Sequence, residues 1–181
     1  VHCGLILDEE KPHIPFARLS PEIAARTITL MAPSKTFNLA GLMCAFAIIP
    51  NPALRREFAK SARGIVTEVN TFGYTACRTA YREGEAWRLA LLSYLRENRK
   101  LVEARIDEFP GIRMNHVEAT YLAWLDCRET GIEEPTARFE KAGVGLSNGA
   151  FFGTPGFARL NFGCPRATLE EGLKRLGSAL G

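Results

Sequence analysis

Of the six lysines in the chain, Lys35 lies in the setting best suited to chemistry, Ala32-Pro33-Ser34-Lys35-Thr36-Phe37-Asn38-Leu39-Ala40-Gly41-Leu42, between two apolar segments. A lysine held between buried strands is partly desolvated, which lowers its pKa and favours amine chemistry such as Schiff-base formation. The alternative is an ordinary solvated charge. Ser34-Lys35-Thr36 ends like a phosphate-binding loop, yet the glycines that such a loop needs before its lysine are absent. Gly143-Val144-Gly145-Leu146-Ser147-Asn148 comes close to a dinucleotide-binding turn, but Asn148 holds the last glycine position and no strand-helix-strand unit surrounds it. It reads as a tight turn. The cysteines, Cys3, Cys44, Cys77, Cys127 and Cys164, are far apart and never form a C-x-x-C pair. That argues against structural zinc or a disulfide framework and for small buried thiols in a reducing compartment. His13 and His116 have no second ligand nearby at metal spacing, so no metal is expected.

These residues need elements to position them. Val1 to Leu7 reads as a strand or its exit. Ser20-Pro21 and Asn51-Pro52 each offer an N-cap followed by proline at the first helical position. The first predicts a short helix to about Ala25, and the second a helix with Leu54 and Phe58 on one face. Between them, Thr27 to Met31 and Leu42 to Ile49 read as neighbouring buried strands. An apolar-faced helix fits Val69 to Tyr81. A long one fits Glu85 to Phe109, with Trp87, Leu91, Val102 and Ile106 near helical period. Beyond Pro110, short strands are expected at Ile112 to Met114, Tyr121 to Asp126, Val144 to Ser147 and Phe157 to Phe162. Helices are expected from Pro135 to Ala142 and from Thr168 to Leu180, the latter opened by a Thr168/Glu171 capping box.

The chain has 181 residues, 46% hydrophobic and 24% charged, the profile of a folded protein with a sizeable core. Lys and Arg exceed Asp and Glu by 23 to 20, a net charge of +3 scattered without a block, which argues against nucleic acid as a partner. The longest apolar stretch, Cys44 to Pro50, is far short of the ~20 residues that span a bilayer, so a cytoplasmic protein without a membrane partner is expected.

The lysine run resembles the cofactor-lysine motif of fold-type I pyridoxal-phosphate (PLP) enzymes in the class I/II aminotransferase group. Further segments are similar to one branch, the cystathionine β-lyase or C–S lyase proteins of the MalY/PatB type: His2-Cys3, His13-Ile14-Pro15-Phe16-Ala17-Arg18-Leu19-Ser20, Glu118 to Cys127, and Phe157 to Arg166. The likeness extends over essentially the whole chain. It implies an α/β fold: the C-terminal part of a large PLP-binding domain over residues 1–84, a connecting long helix over 85–109, and a smaller α+β C-terminal domain over 110–181.

The resemblance also implies roles. Lys35 would be the catalytic lysine that carries PLP and moves the substrate Cα proton. Arg159 would bind the substrate α-carboxylate, a task suited to a bidentate guanidinium, although a surface ion pair is the other reading. His2 stands where many relatives direct a tyrosine at the cofactor's 3-oxygen, against the reading of a packed or solvated histidine. Ser34 would hydrogen-bond the cofactor phosphate, or simply cap its loop. The implied reaction is α,β-elimination from cystathionine or a cysteine S-conjugate to thiol, pyruvate and ammonia. The alternatives are an aminotransferase, and, in another class, a non-catalytic module or inactive truncated product. Two positions depart from the wider group: Met43 replaces a phosphate-binding arginine, and Ala32 replaces a hydroxyl. The aspartate that pairs with the pyridine nitrogen would precede Val1. Together with the absent initiator methionine this predicts a C-terminal part whose N-terminal half is missing, from a homodimeric enzyme with a small amino-acid substrate.

Overall fold

Ser20, Asn51 and Asn70 start three helices by the same device, a side-chain oxygen that accepts an otherwise orphaned backbone N–H. Ser20 Oγ accepts from Ile23 at 3.2 Å, and Pro21 follows, opening α1 (Pro21–Ala25). Asn51 Oδ1 accepts from Ala53 and Leu54 at 2.9 and 3.3 Å to open α2 (Pro52–Ala62). Asn70 Oδ1 accepts from Gly73 at 2.8 Å to open α3 (Thr71–Glu83). The computed structural model describes all residues, 1–181, and divides them into two units, Val1–Ala90 and Leu91–Gly181. The division falls inside the long helix α4 (Glu85–Asp107). No helix is long and apolar enough to cross a membrane.

The first unit holds one antiparallel pair, β1 (Thr29–Met31) and β2 (Phe46–Ile48), in the register Leu30 opposite Ala47. Both strands are shorter than the sequence suggests and neither is buried: Leu30 is 59% and Ile48 50% exposed. The pair has no third strand, so each strand keeps one edge unpaired within the unit. Residues 40–42 form a 3-10 turn rather than strand, and Met43 ends it in the left-handed region at φ +50°. Val1 to Leu7 is also not a strand. The Leu5 N–H turns back to the His2 carbonyl at 2.9 Å, which sinks Leu5 and Leu7 into the unit's small core.

The second unit is built on a four-stranded antiparallel sheet in the order β3-β4-β6-β5: β3 (Arg113–Met114), β4 (Leu122–Asp126), β5 (Ser147–Asn148) and β6 (Phe157–Asn161). Strand alternation sends Ala123, Leu125, Ala158 and Leu160 to one face, where they are buried. The core is completed by Leu95, Val102 and Ile106 of α4, Phe139 of α5 (Pro135–Lys141), and Leu169, Leu173 and Leu176 of α6 (Arg166–Ser178). The Thr168/Glu171 capping box is not formed. Helix α6 starts two residues earlier because the Arg166 N–H donates to the Tyr94 hydroxyl at 2.6 Å. Glu171 therefore lies within the helix and pairs with Arg175 at 2.7 Å.

Candidate functional site

Lys35 lies at the crown of a turn leaving β1. The Phe37 N–H donates to the Pro33 carbonyl at 2.9 Å and the Leu39 N–H to the Ser34 carbonyl at 3.1 Å, so the segment doubles back before the 3-10 turn at 40–42. Asn38 takes a left-handed φ of +55°, a conformation its short polar side chain tolerates. Neighbouring side chains alternate in burial: Ala32, Pro33 and Thr36 are buried, Ser34 is half-buried and Lys35 is exposed. The partial desolvation expected for Lys35 is not seen in this unit, where its side chain is exposed.

The N-terminal turn lies against this segment. A Cβ on Gly4 would fall 2.7 Å from Thr36 Oγ1, so the Thr36 side chain fills the space that a side chain at residue 4 would need. Arg88 of α4 holds the same turn, its Nη1 donating to the Gly4 carbonyl at 2.9 Å while Nε and Nη2 grip the Glu85 carboxylate at 2.8 and 2.6 Å. The Arg88 hydrogen bonds hold Glu85 below the usual carboxylate range. His2, half-buried, precedes this clasp by two residues. The structure thus brings the His2 to Gly4 turn onto the Ser34 to Thr36 turn.

A cavity of about 180 Å³ lies between these segments and helices α3 and α4, lined by Cys3, Gly4, Ala32, Thr36, Tyr81 and Arg88 among others. It takes the immediate neighbours of the predicted residues but not His2, Ser34 or Lys35 themselves. Burial, followed by the Cys77, Cys3 and Cys44 thiols, pushes the Tyr81 hydroxyl above its ordinary pKa.

Arg159 belongs to the second unit, on the sheet face opposite the buried one. It pairs across the ladder with Trp124 and with Ser147. Its Nη2 donates to Ser147 Oγ at 3.3 Å, and its guanidinium lies 4.6 Å from the centre of the Phe152 ring. Phe152 meets Trp124 edge-on at 5.6 Å, and Trp124 stacks on Phe157 at 5.8 Å. An aromatic row therefore fixes the plane of the guanidinium and leaves it without a carboxylate partner, unlike Arg128, which pairs with Asp126 at 2.8 Å. The alternative of a surface ion pair is not what this residue makes. Sequence reasoning missed Phe152 and Ser147: Ser147 meets Arg159 only through the β5–β6 register, and Phe152 ends the 3-10 turn that follows β5. No group of His, Cys, Asp and Glu side chains is placed to hold a metal ion.

With this geometry in place, residues 4–176 match the family described as aminotransferase class I and II. The chain is 38% identical over 187 aligned residues to cystathionine β-lyase PatB of Bacillus subtilis, covering 99% of this chain and 48% of that protein. The crystal structure of OvoB is 47% identical with a TM-score of 0.97, covering 99% of this chain and 48% of that one. Cystalysin from Treponema denticola, whose crystal structure contains a pyridoxal 5'-phosphate cofactor, is 33% identical with a TM-score of 0.92, covering 99% and 47%. The chain spans about half the length of the curated relatives it matches.

Proposed function

Because the chain belongs to the aminotransferase class I and II family, we propose that it supplies the lysine and the carboxylate-binding arginine of a PLP-dependent carbon–sulfur β-lyase. The substrate is cystathionine or a cysteine S-conjugate, and the products are thiol, pyruvate and ammonia. The observation that carries the reading is the seating of the His2 to Gly4 turn on the turn that presents Ser34 and Lys35, made possible by the missing side chain of Gly4. Likeness to a cystathionine β-lyase and to cystalysin, whose structure contains PLP, supports the reaction type. Met43, exposed where the wider group has a phosphate-binding arginine, also favours the lyase branch over the classical transaminases.

The donor set suits the cofactor: an exposed primary amine on a fixed turn, a hydroxyl one residue before it and an imidazole on the adjoining turn. Lys35 would hold PLP through its amine, with Ser34 at the phosphate and His2 toward the 3-oxygen. When bound, the cofactor supplies the electron sink that lets the Cα proton leave and the Cβ–sulfur bond break. As a free amine, Lys35 Nζ would take the proton from the substrate Cα. Arg159 would grip the α-carboxylate, and Phe152 and Ser147 keep its guanidinium from rotating. The remaining phosphate contacts and the pyridine-nitrogen partner are assigned to polypeptide equivalent to the other half of the relatives. A cytoplasmic homodimer is the assembly that fits this reading, supported by five free thiols and the exposed Ile65, Val66 and Phe72.

The test is titration with PLP, borohydride reduction and peptide mapping, with the chain alone and with the other half supplied. A single reduced adduct on Lys35, lost in Lys35→Ala, is expected. Pyruvate released from cystathionine without an added keto acid supports the lyase; turnover only with a keto acid assigns an aminotransferase instead.

A further inference from the structure

Two contacts bind helix α3 to the segment that follows the lysine turn, and a pair of cysteines lies between them. At one end, a Cβ on Gly73 would fall 2.7 Å from the Leu42 carbonyl oxygen, and Asn70 Nδ2 donates to the same oxygen at 3.2 Å. At the other end, the Tyr81 and Phe46 rings meet edge-on at 5.8 Å. Gly73, Cys77 and Tyr81 recur every four residues and share one face of the helix. Cys44 is midway between Leu42 and Phe46 in the chain. The two contacts therefore bracket Cys44 and Cys77 and hold them opposite one another. The bracketing agrees with the influence of the neighbouring Cys44 thiol, which after burial helps to raise the pKa of Cys77.

We infer that Cys44 and Cys77 form a reversible disulfide by exchange with a small-molecule disulfide. Burial sets the order of events: Cys77 is half-buried and reachable, whereas Cys44 is 6% exposed. The Cys77 thiolate attacks one sulfur of the small disulfide, forming a mixed disulfide and expelling one thiolate. The Cys44 thiolate then attacks the Cys77 sulfur and expels the second. The two protons given up by Cys77 and Cys44 end on the two released thiols, so one disulfide is reduced as one is formed. The other cysteines are placed differently. Cys3 Sγ faces Met31 Sδ at 3.9 Å, and Cys127 and Cys164 lie in the second unit. The bridge would tie α3 to the strand whose preceding turn carries Lys35, so that the thiol–disulfide balance of the surroundings sets how firmly that turn is anchored. The inference stands independently of the proposed lyase reaction.

The chain is incubated with oxidised glutathione, its remaining thiols are blocked with N-ethylmaleimide, and peptides are mapped by mass spectrometry without reduction. The expected result is a dominant Cys44–Cys77 cross-linked peptide, lost on treatment with dithiothreitol, while Cys127 stays reduced. Cys44→Ser should stop at one glutathione on Cys77, and Cys77→Ser should leave Cys44 unmodified. A map with glutathione on Cys77 and no cross-link, with Cys3–Cys77 equally abundant, or with no modification at all overturns the inference. Wild-type mapping decides the matter if either variant fails to fold.

Discussion

Arg159 and Arg128 both lie over aromatic rings, and the difference between them supports the role proposed for Arg159. Arg128 is neutralised by Asp126, whose carboxyl is in turn held below the usual range by hydrogen bonds from Arg128. Arg159 has a hydroxyl and a π-face but no anion, so an incoming carboxylate need displace no ion partner. On the proposed function, and with the other half supplied, Arg159→Gln should lower kcat/KM for β-elimination by roughly 10- to 100-fold, the range set by losing one charged hydrogen-bond pair, with most of the change in KM. Initial-rate measurements over substrate concentration separate the two constants. Cys127 shows the opposite logic: wholly buried, with Asp126 beside it, its pKa is raised to about 11. A thiol whose folded pKa is raised keeps its contribution to stability below the unfolded value of 9.0 and loses it as pH rises toward about 11. Cys127 should therefore resist maleimide in the native chain at pH 8, and denaturation midpoints should fall between pH 9 and 11 in the native chain but less in Cys127→Ala. An equal fall in both would assign the alkaline loss to other groups.

Helix α6 depends on two side chains of α4 that no local pattern announces. Asn98 is fully buried: Nδ2 donates to the Phe162 and Cys164 carbonyls at 2.8 and 3.0 Å, and Oδ1 accepts from Arg166 Nε at 2.8 Å. Tyr94, one turn earlier, accepts the Arg166 N–H and so caps the helix. Asn98→Ala should cost about 2–4 kcal/mol by leaving the buried Phe162 carbonyl, the part-buried Cys164 carbonyl and the Arg166 guanidinium without this partner, while Tyr94→Phe should cost about 1 kcal/mol, the usual loss for a cap. Thermal denaturation followed by circular dichroism measures both. These interactions explain where the sequence was legible. Ser20, Asn51 and the prolines after them act within one turn of chain, and α1 and α2 begin where they predict. Strand alternation also placed β4 and β6, whose partners lie in register. The capping box failed because a hydroxyl 72 residues away competes for the same helix end. Residues 42–45 failed as strand because Met43 turns left-handed, and nothing local in an apolar run signals that. At the site, the lysine turn was readable from its neighbours, whereas the support of Arg159 needed the pairing of β5 with β6 for Ser147 and the 3-10 turn after β5 for Phe152.

Across the molecule the two units differ in how completely their apolar residues are covered. Six of the buried hydrophobic residues lie in Val1–Ala90, against nineteen in Leu91–Gly181. The large exposed hydrophobic residues run the other way, with eighteen in the first unit and three in the second. Burial of a large apolar side chain is worth about 1.5–3 kcal/mol, so a unit with few such residues has little to set against the entropy of ordering its chain. Exposed large apolar residues in this number fit the proposal that the other half of the enzyme covers part of the first unit. Hydrogen–deuterium exchange on the chain alone should therefore show two classes of amide. Those of β4, β6, the Leu92 to Ile106 part of α4 and α6 should exchange slowest, and those of β1, β2, α2 and α3 should exchange fastest among the regular elements. Supplying the polypeptide equivalent to the other half of the relatives should slow exchange in β1 and β2 most, because each strand has an open side and apolar residues such as Leu30 and Ile48 exposed. Equal protection in both units of the isolated chain would mean that the first unit holds itself together by means other than apolar burial. Unchanged exchange in β1 and β2 after the addition would mean that its exposed face is not where the two parts join.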